Sequence, residues 1–295
     1  MKKITFLSVV FLLITLTLPV VAQTKLLVCG DSKVLLVQAP KGNDSIPVIL
    51  WQWDARKAAD LPDTFRLHLL RTLDDCKAVQ GGKQMLLSSS TGAIVLVEKA
   101  TNKVLFYAAS PMAHSIEMLP GNRIVAAAST IAGGNRIMLF DPATGNLPVY
   151  EDSLYSGHGV VWHAQRQSLF ALGYDVLREY KLVNWSGKHP SLQMVQSWKI
   201  PGIGGHDLQL YPNGKGLLVT ETQGSWLFSL DEYSFKKNPG MPDGHHIKSL
   251  NLGANGQYLY TQTEESWWTY HVQFANPAAT LAFPGWHVYK ARWVE

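Results

Sequence analysis

Apolar positions along this chain fall in short runs, each closed by a polar break or by a Gly, Asn, Asp or Pro turn. Runs such as Leu217-Leu218-Val219-Thr220 and Tyr258-Leu259-Tyr260-Thr261 have the length and composition of strands. Polar breaks follow at Ser88 to Thr91, Ser129 to Gly134, Glu221 to Gly224 and Glu264 to Ser266. Third runs come next: Ala93 to Val97, Arg136 to Phe140, Ser225 to Leu230 and Trp267 to His271. Turn signals at Ala100-Thr101-Asn102-Lys103 and Asp141-Pro142-Ala143-Thr144-Gly145-Asn146 introduce a fourth strand. The pattern predicts an all-β chain built from repeated antiparallel units.

The units share a phrase that opens each of them. His114-Ser-Ile-Glu-Met-Leu-Pro-Gly-Asn, His158-Gly-Val-Val-Trp-His-Ala-Gln-Arg and His206-Asp-Leu-Gln-Leu-Tyr-Pro-Asn-Gly align without a gap. Asp74-Asp-Cys-Lys-Ala-Val-Gln-Gly-Gly and Lys248-Ser-Leu-Asn-Leu-Gly-Ala-Asn-Gly fall in the same register. The chain ends on a sixth copy, with Tyr289 opposite Lys248 and His287 opposite His246. A period of about 40 residues made of short strands is the signature of a propeller. The first unit lacks its opening strand, since only Leu26 to Gly30, Lys33 to Val37 and Val48 to Trp53 precede the second. The lone C-terminal strand supplies it. Joining the two ends in one blade closes the ring and removes exposed edges. The expected fold is a six-bladed β-propeller.

The first 22 residues stand apart. Lys2 and Lys3 precede an uncharged run from Ile4 to Val21, closed by Val20-Val21-Ala22. This reads as a secretory signal peptide, leaving residues 23–295 as one exported, periplasmic or secreted domain. No lipid-attachment cysteine follows the cleavage site, and no second hydrophobic span is present in the sequence. Removing Lys2 and Lys3 lowers the formal charge from +4 to +2, and the remaining basic residues are scattered. That argues against a nucleic-acid partner. A monomer free of the membrane is expected. Cys29 and Cys76 are the only cysteines, and both a disulfide and two buried thiols fit the register.

Histidines at matched positions state where their side chains meet. The inner strand of a blade starts at one face of the ring, so His114, His158 and His206 are expected in one layer at the channel mouth. His246 and His287 are expected one layer further out, above Lys248 and Tyr289. Three chemistries fit. The three inner histidines are candidate ligands of a divalent ion (Mn, Zn, Ca or Ni). In a metal-free pocket they and Lys248 bind a carboxylate or sulfate. In the third reading they cap strands and hold the ring together. For turnover, His246, His287, Lys248 and Tyr289 are the candidate proton-transfer groups. Asp74, Arg292, Glu221 and Glu264 are candidate substrate contacts, with Asp31 and Asp175 carried towards the same rim. Trp51-Gln52-Trp53 and Trp267-Trp268 are expected to pack between sheets rather than stack on sugars. There is no Gly-rich phosphate loop, Gly-x-Ser-x-Gly or Cys-x-x-Cys.

With its leader and His-opened blades, the chain resembles an uncharacterised family of secreted propellers from Bacteroides-type gut bacteria. More loosely, the histidine-lined mouth is similar in style to that of oligogalacturonate lyases. Those are seven-bladed propellers that hold a manganese ion beside an acidic sugar. The resemblance implies an exported protein acting on a small anionic carbohydrate, as a metal-assisted lyase or a hydrolase. The alternative is a non-catalytic propeller that binds a glycan or a protein, with structural channel histidines.

Overall fold

A computed structural model describes residues 25–294 apart from 41, 43–44 and 242–243. The segment expected to be a signal peptide, residues 1–22, lies outside the described residues. Six four-stranded antiparallel sheets are arranged as blades. Blade one pairs the C-terminal strand Lys290–Trp293 with Lys25–Gly30, followed by Lys33–Gln38 and Ile49–Asp54. The inner strands of blades two to six are Leu73–Val79, Ala113–Leu119, Gly159–His163, Asp207–Leu210 and Ile247–Leu252. The fold is the expected six-bladed propeller, closed through its termini. The closure is tight: a side-chain carbon on Gly30 would overlap the carbonyl of His287.

Between each pair of blades lies a separate apolar core, and the inner strands contribute every second residue to it. Ile116, Leu208 and Leu250 are at most 1% exposed and sit in three such layers. Regular alternation would then send the residues two before them (His114, His206 and Lys248) into the same layers. A bulge at the start of each inner strand prevents this. In blades two, three and six the ladder register slips by one residue around Asp74, His114 and Lys248. In blades four, five and one, the N–H groups of His158, His206 and Tyr289 reach the carbonyls of Leu172, Thr220 and Cys29. Those three residues are already paired with Gly159, Asp207 and Lys290. Two residues thus face one partner in every blade, which is the bulge geometry that re-aims side chains. Two consecutive positions per blade therefore turn towards the axis.

One strand departs from the expected placement. The third strand of blade six is His271–Ala275, not Trp267 to His271. Glu265 bridges to Trp268 and Thr269 to Val288, so the Trp pair sits in a tight hairpin with Ser266 at positive φ.

The thiols Cys29 and Cys76 are free and fully buried in the core between blades one and two. Cys29 lies on the second strand of its blade, not on an inner strand. Burial and the neighbouring Cys76 push its thiol well above the ordinary value. A buried, protonated thiol is a poor nucleophile. Native protein should take up no iodoacetamide, and protein in denaturant should take up two equivalents; rapid labelling of native protein would contradict this packing.

Candidate functional site

Seen from the mouth inward, the six bulges stack two rings of side chains. The outer ring comprises Asp74, His114, His158, His206, Lys248 and Tyr289. The inner one comprises Asp75, Ser115, Gly159, Asp207, Ser249 and Lys290. One further polar layer, led by Arg292, lies two residues along.

The inner ring is an ion cluster. Lys290 is fully buried, and its ammonium lies 3.2 Å from Asp207 Oδ1. The same ammonium lies 3.2, 3.4 and 3.3 Å from the carbonyls of His114, His158 and His206. Arg292 donates through Nη1 and Nη2 to the two oxygens of Asp207, at 2.7 and 2.6 Å, and through Nε to Asp75 at 2.9 Å. The two cations hold the Asp207 carboxyl far below the usual carboxylate range, against its burial. Ser115 and the Leu250 N–H complete the carboxylates' hydrogen bonds. Because Arg292 and Lys290 come from the closing strand, blades two and five are tied through blade one across the axis.

In the outer ring the histidines do meet. Ring centroids are 4.3 Å apart for His114 and His158, 5.8 Å for His158 and His206, and 6.4 Å for His206 and His246. Their tautomers follow from their partners. His114 Nδ1 lies 3.0 Å from the Met112 carbonyl and His158 Nδ1 2.9 Å from that of Ser156. A carbonyl only accepts, so both Nδ1 atoms carry the proton and each Nε2 keeps its lone pair. His206 Nε2 lies 3.1 Å from Lys248 Nζ, which leaves its buried Nδ1–H without a partner. Burial, followed by the Met112 bond that opposes it, sets His114 at about 4. Burial and the nearby lysines take His206 to about 3, and burial and His114 hold His158 well below the ordinary value. All three are neutral at pH 7.

Lys248 is the uncompensated charge of the mouth. It is 2% exposed and has no carboxylate partner among the described residues. Burial and then Lys290 lower its amine to about 8. Its Nζ sits 5.2 Å from the centre of the Trp267 ring, which is 62% exposed. The Trp pair was expected to pack between sheets; Trp267 instead covers Lys248 from the solvent side. Trp268 lies 5.6 Å from Tyr289 and 5.9 Å from His287. His287 is half-exposed, with Nδ1 3.2 Å from Asp31 Oδ1. Tyr289 is buried, 6.0 Å from His114, and burial raises its hydroxyl well above the ordinary value. Asp74 is buried against the Ser90 N–H, and burial raises its carboxyl to about 7.

Three of the named substrate contacts have other work. Arg292 is engaged by Asp75 and Asp207 inside the channel. Glu221 is 1% exposed and accepts from Gln223 N–H at 2.8 Å and from the Trp226 indole at 3.2 Å. Glu264 accepts from Tyr270 N–H and pairs with His271 at 2.7 Å. The inner ring, by contrast, was not singled out from the sequence. Its signal was there: the residue after each phrase opener is polar or small in all six copies.

A divalent ion fits this mouth poorly. Among the described residues no three His, Cys, Asp or Glu side chains form a metal-holding group. The ammonium of Lys290 already occupies the carbonyl ring below the histidines, and Lys248 takes the His206 lone pair. An added cation would face two ammonium groups in a buried setting, where like charges repel strongly.

Comparison with known families bears on the whole ring. Residues 43–295 match a family of unknown function, DUF6528. The chain belongs to this family. No curated protein matches it. Because the match runs from blade one to the closing strand, the bulged rings and the ion cluster all lie inside the family's extent.

Proposed function

We propose that this exported propeller binds the carboxylate of a small acidic sugar at its histidine mouth and works without a metal. The observation that carries this is Lys248, a buried ammonium with no carboxylate partner among the described residues, under an exposed indole. An anion there gains a charge-assisted hydrogen bond in a desolvated place. Trp267 offers a face on which a pyranose ring stacks.

The Asp31–His287 pair supplies the acid–base element. Asp31 holds the Nδ1–H, so Nε2 of His287 is free to take a proton. In β-elimination, that nitrogen removes the proton on the carbon next to the carboxylate. The electron pair forms the new C=C bond, the C–O bond to the leaving group breaks, and the departing oxygen takes the proton that His287 then carries. Lys248 stabilises the charge that builds on the carboxylate meanwhile. Hydrolysis would use the same two groups with water as the nucleophile. His114 and His158, fixed by backbone carbonyls, shape the floor; His246 extends the ring beside His206.

D-Galacturonate and D-galactose share a ring and differ in the carboxylate, so calorimetric titration with both isolates the charge. The acid should bind at least about tenfold more tightly, a difference of roughly 1.4 kcal/mol. Lys248→Met should remove that preference. Equal affinity for the two sugars would overturn the reading. Elemental analysis of the same protein should find no stoichiometric metal lost on changing His114, His158 and His206 to alanine.

A further inference from the structure

The opposite end of the channel holds a cavity of about 350 Å³, lined by residues from all six inner strands. That size lies within the range of about 300–1,000 Å³ in which small molecules are held. Its chemistry differs from that of the histidine mouth. Lys77 and Glu117 form an ion pair at 2.8 Å, and Lys77 also donates to the Val160 carbonyl at 2.7 Å. Arg292, which reaches the floor of this cavity, is neutralised by Asp75 and Asp207. Every charge facing this end is therefore matched.

What is left open is neutral. Gln209 Nε2 is buried without a hydrogen-bond partner. Asn251 donates to the Ala291 carbonyl at 3.0 Å, which leaves its side-chain oxygen as an acceptor. Trp162 and Trp293 form part of the wall, and the indole N–H of Trp293 is likewise buried and unpartnered. Buried donors without partners are costly, at about 1–3 kcal/mol each. The Gln209 amide, two residues along from Asp207 in the lining, calls for something that brings an acceptor oxygen to it, whereas the Trp293 ring packs against Phe274 in the core between blades six and one.

From these groups we infer a second binding site at this end, for a neutral hydroxylated ring such as an uncharged monosaccharide unit. Amide groups and an internally balanced ion pair exchange hydrogen bonds with hydroxyls in both directions, while the half-buried Trp162 lends an apolar wall to the ring. A carboxylate finds no unmatched cation here. The two ends thus sort ligands by charge, and this inference stands whether or not the acidic-sugar reading of the other end holds.

The test is titration of the mature protein with D-galactose, D-glucose and N-acetyl-D-glucosamine, followed through assigned indole N–H resonances. At least one of the three should move the Trp162 and Trp293 signals saturably and leave those of Trp267 and Trp268 in place. Gln209→Leu, of similar volume, should weaken that binding about tenfold. A melting curve on the variant shows whether its fold is intact. No saturable shift at Trp162 or Trp293 with any of the three sugars overturns the inference without recourse to a variant. So does undiminished binding in a folded Gln209→Leu protein.

Discussion

Changing Asp207 to alanine should cost about 3–5 kcal/mol of stability, the range for removing one partner of a buried ion pair. The loss has a specific origin. Asp207 is 1% exposed and is the ion-pair partner of Lys290 as well as one of the two carboxylates on Arg292. Without it, a fully buried ammonium keeps only backbone carbonyls, and the guanidinium keeps Asp75. For a chain of this size, the melting temperature should fall by on the order of 10 °C. Asp207→Asn separates charge from volume. If the cluster's charge balance matters, asparagine should be nearly as damaging as alanine, although it fills the same space. If packing alone mattered, asparagine would be mild. Chemical denaturation of both variants decides between them.

Acid should unfold this protein earlier than its carboxylates alone would require. Histidines in an unfolded chain take up protons near pH 6.5. In the folded protein His114 waits until about 4 and His206 until about 3, with His158 also held low. Between those limits the unfolded chain binds more protons, so stability falls as the pH falls. The contribution is complete above about 6.5 and is lost towards 4 and below. For His114 alone it amounts to roughly 3 kcal/mol. Asp74 acts in the opposite sense. Its folded value of about 7 lies above the unfolded one, so its contribution is present below about 4 and lost as the pH rises through 7. It offsets one histidine over the same interval and leaves two uncompensated. Melting temperatures measured from pH 7 to 4 should therefore drop steeply in the wild type. They should drop more steeply still in Asp74→Asn, and less in a His158→Asn/His206→Asn protein. A flat profile would contradict the neutral, buried ring.

The blade count was legible because the phrase openers recur in register and the last copy has no strands after it. The mouth was legible for the same reason: His114, His158, His206, Lys248 and Tyr289 were placed at one register, with His246 and His287 a layer further out, and the structure brings the openers together. The ion cluster was harder to see. Strict alternation allows one axial residue in two, and Asp75, Asp207 and Lys290 directly follow a residue already assigned to the axis. Only the bulge admits both, and a bulge leaves no single-residue mark in the sequence. A polar opener, then a polar or small residue, then an apolar one in every copy were its trace. Glu221 and Glu264 show the converse limit. Both were expected in polar breaks; Glu221 instead ends the strand Gly216–Glu221, and hydrogen bonds from Gln223, Trp226 and Tyr270 engage the two carboxylates. Trp267 was set down as packing because aromatic residues at blade positions mostly pack; the hairpin from Glu264 to Trp268 turns it outward.

The claim at the centre of this account is that the buried Lys248 ammonium, without a carboxylate partner among the described residues, takes up a ligand's carboxylate at the histidine mouth. The most direct test follows its side-chain amine by NMR as the pH is raised, with and without D-galacturonate. Free protein should titrate near 8, and the acid should move that value upward, because an anion on the amine favours its charged form. A Lys248 that titrates at the ordinary lysine value, or one that D-galacturonate leaves unmoved, would contradict it.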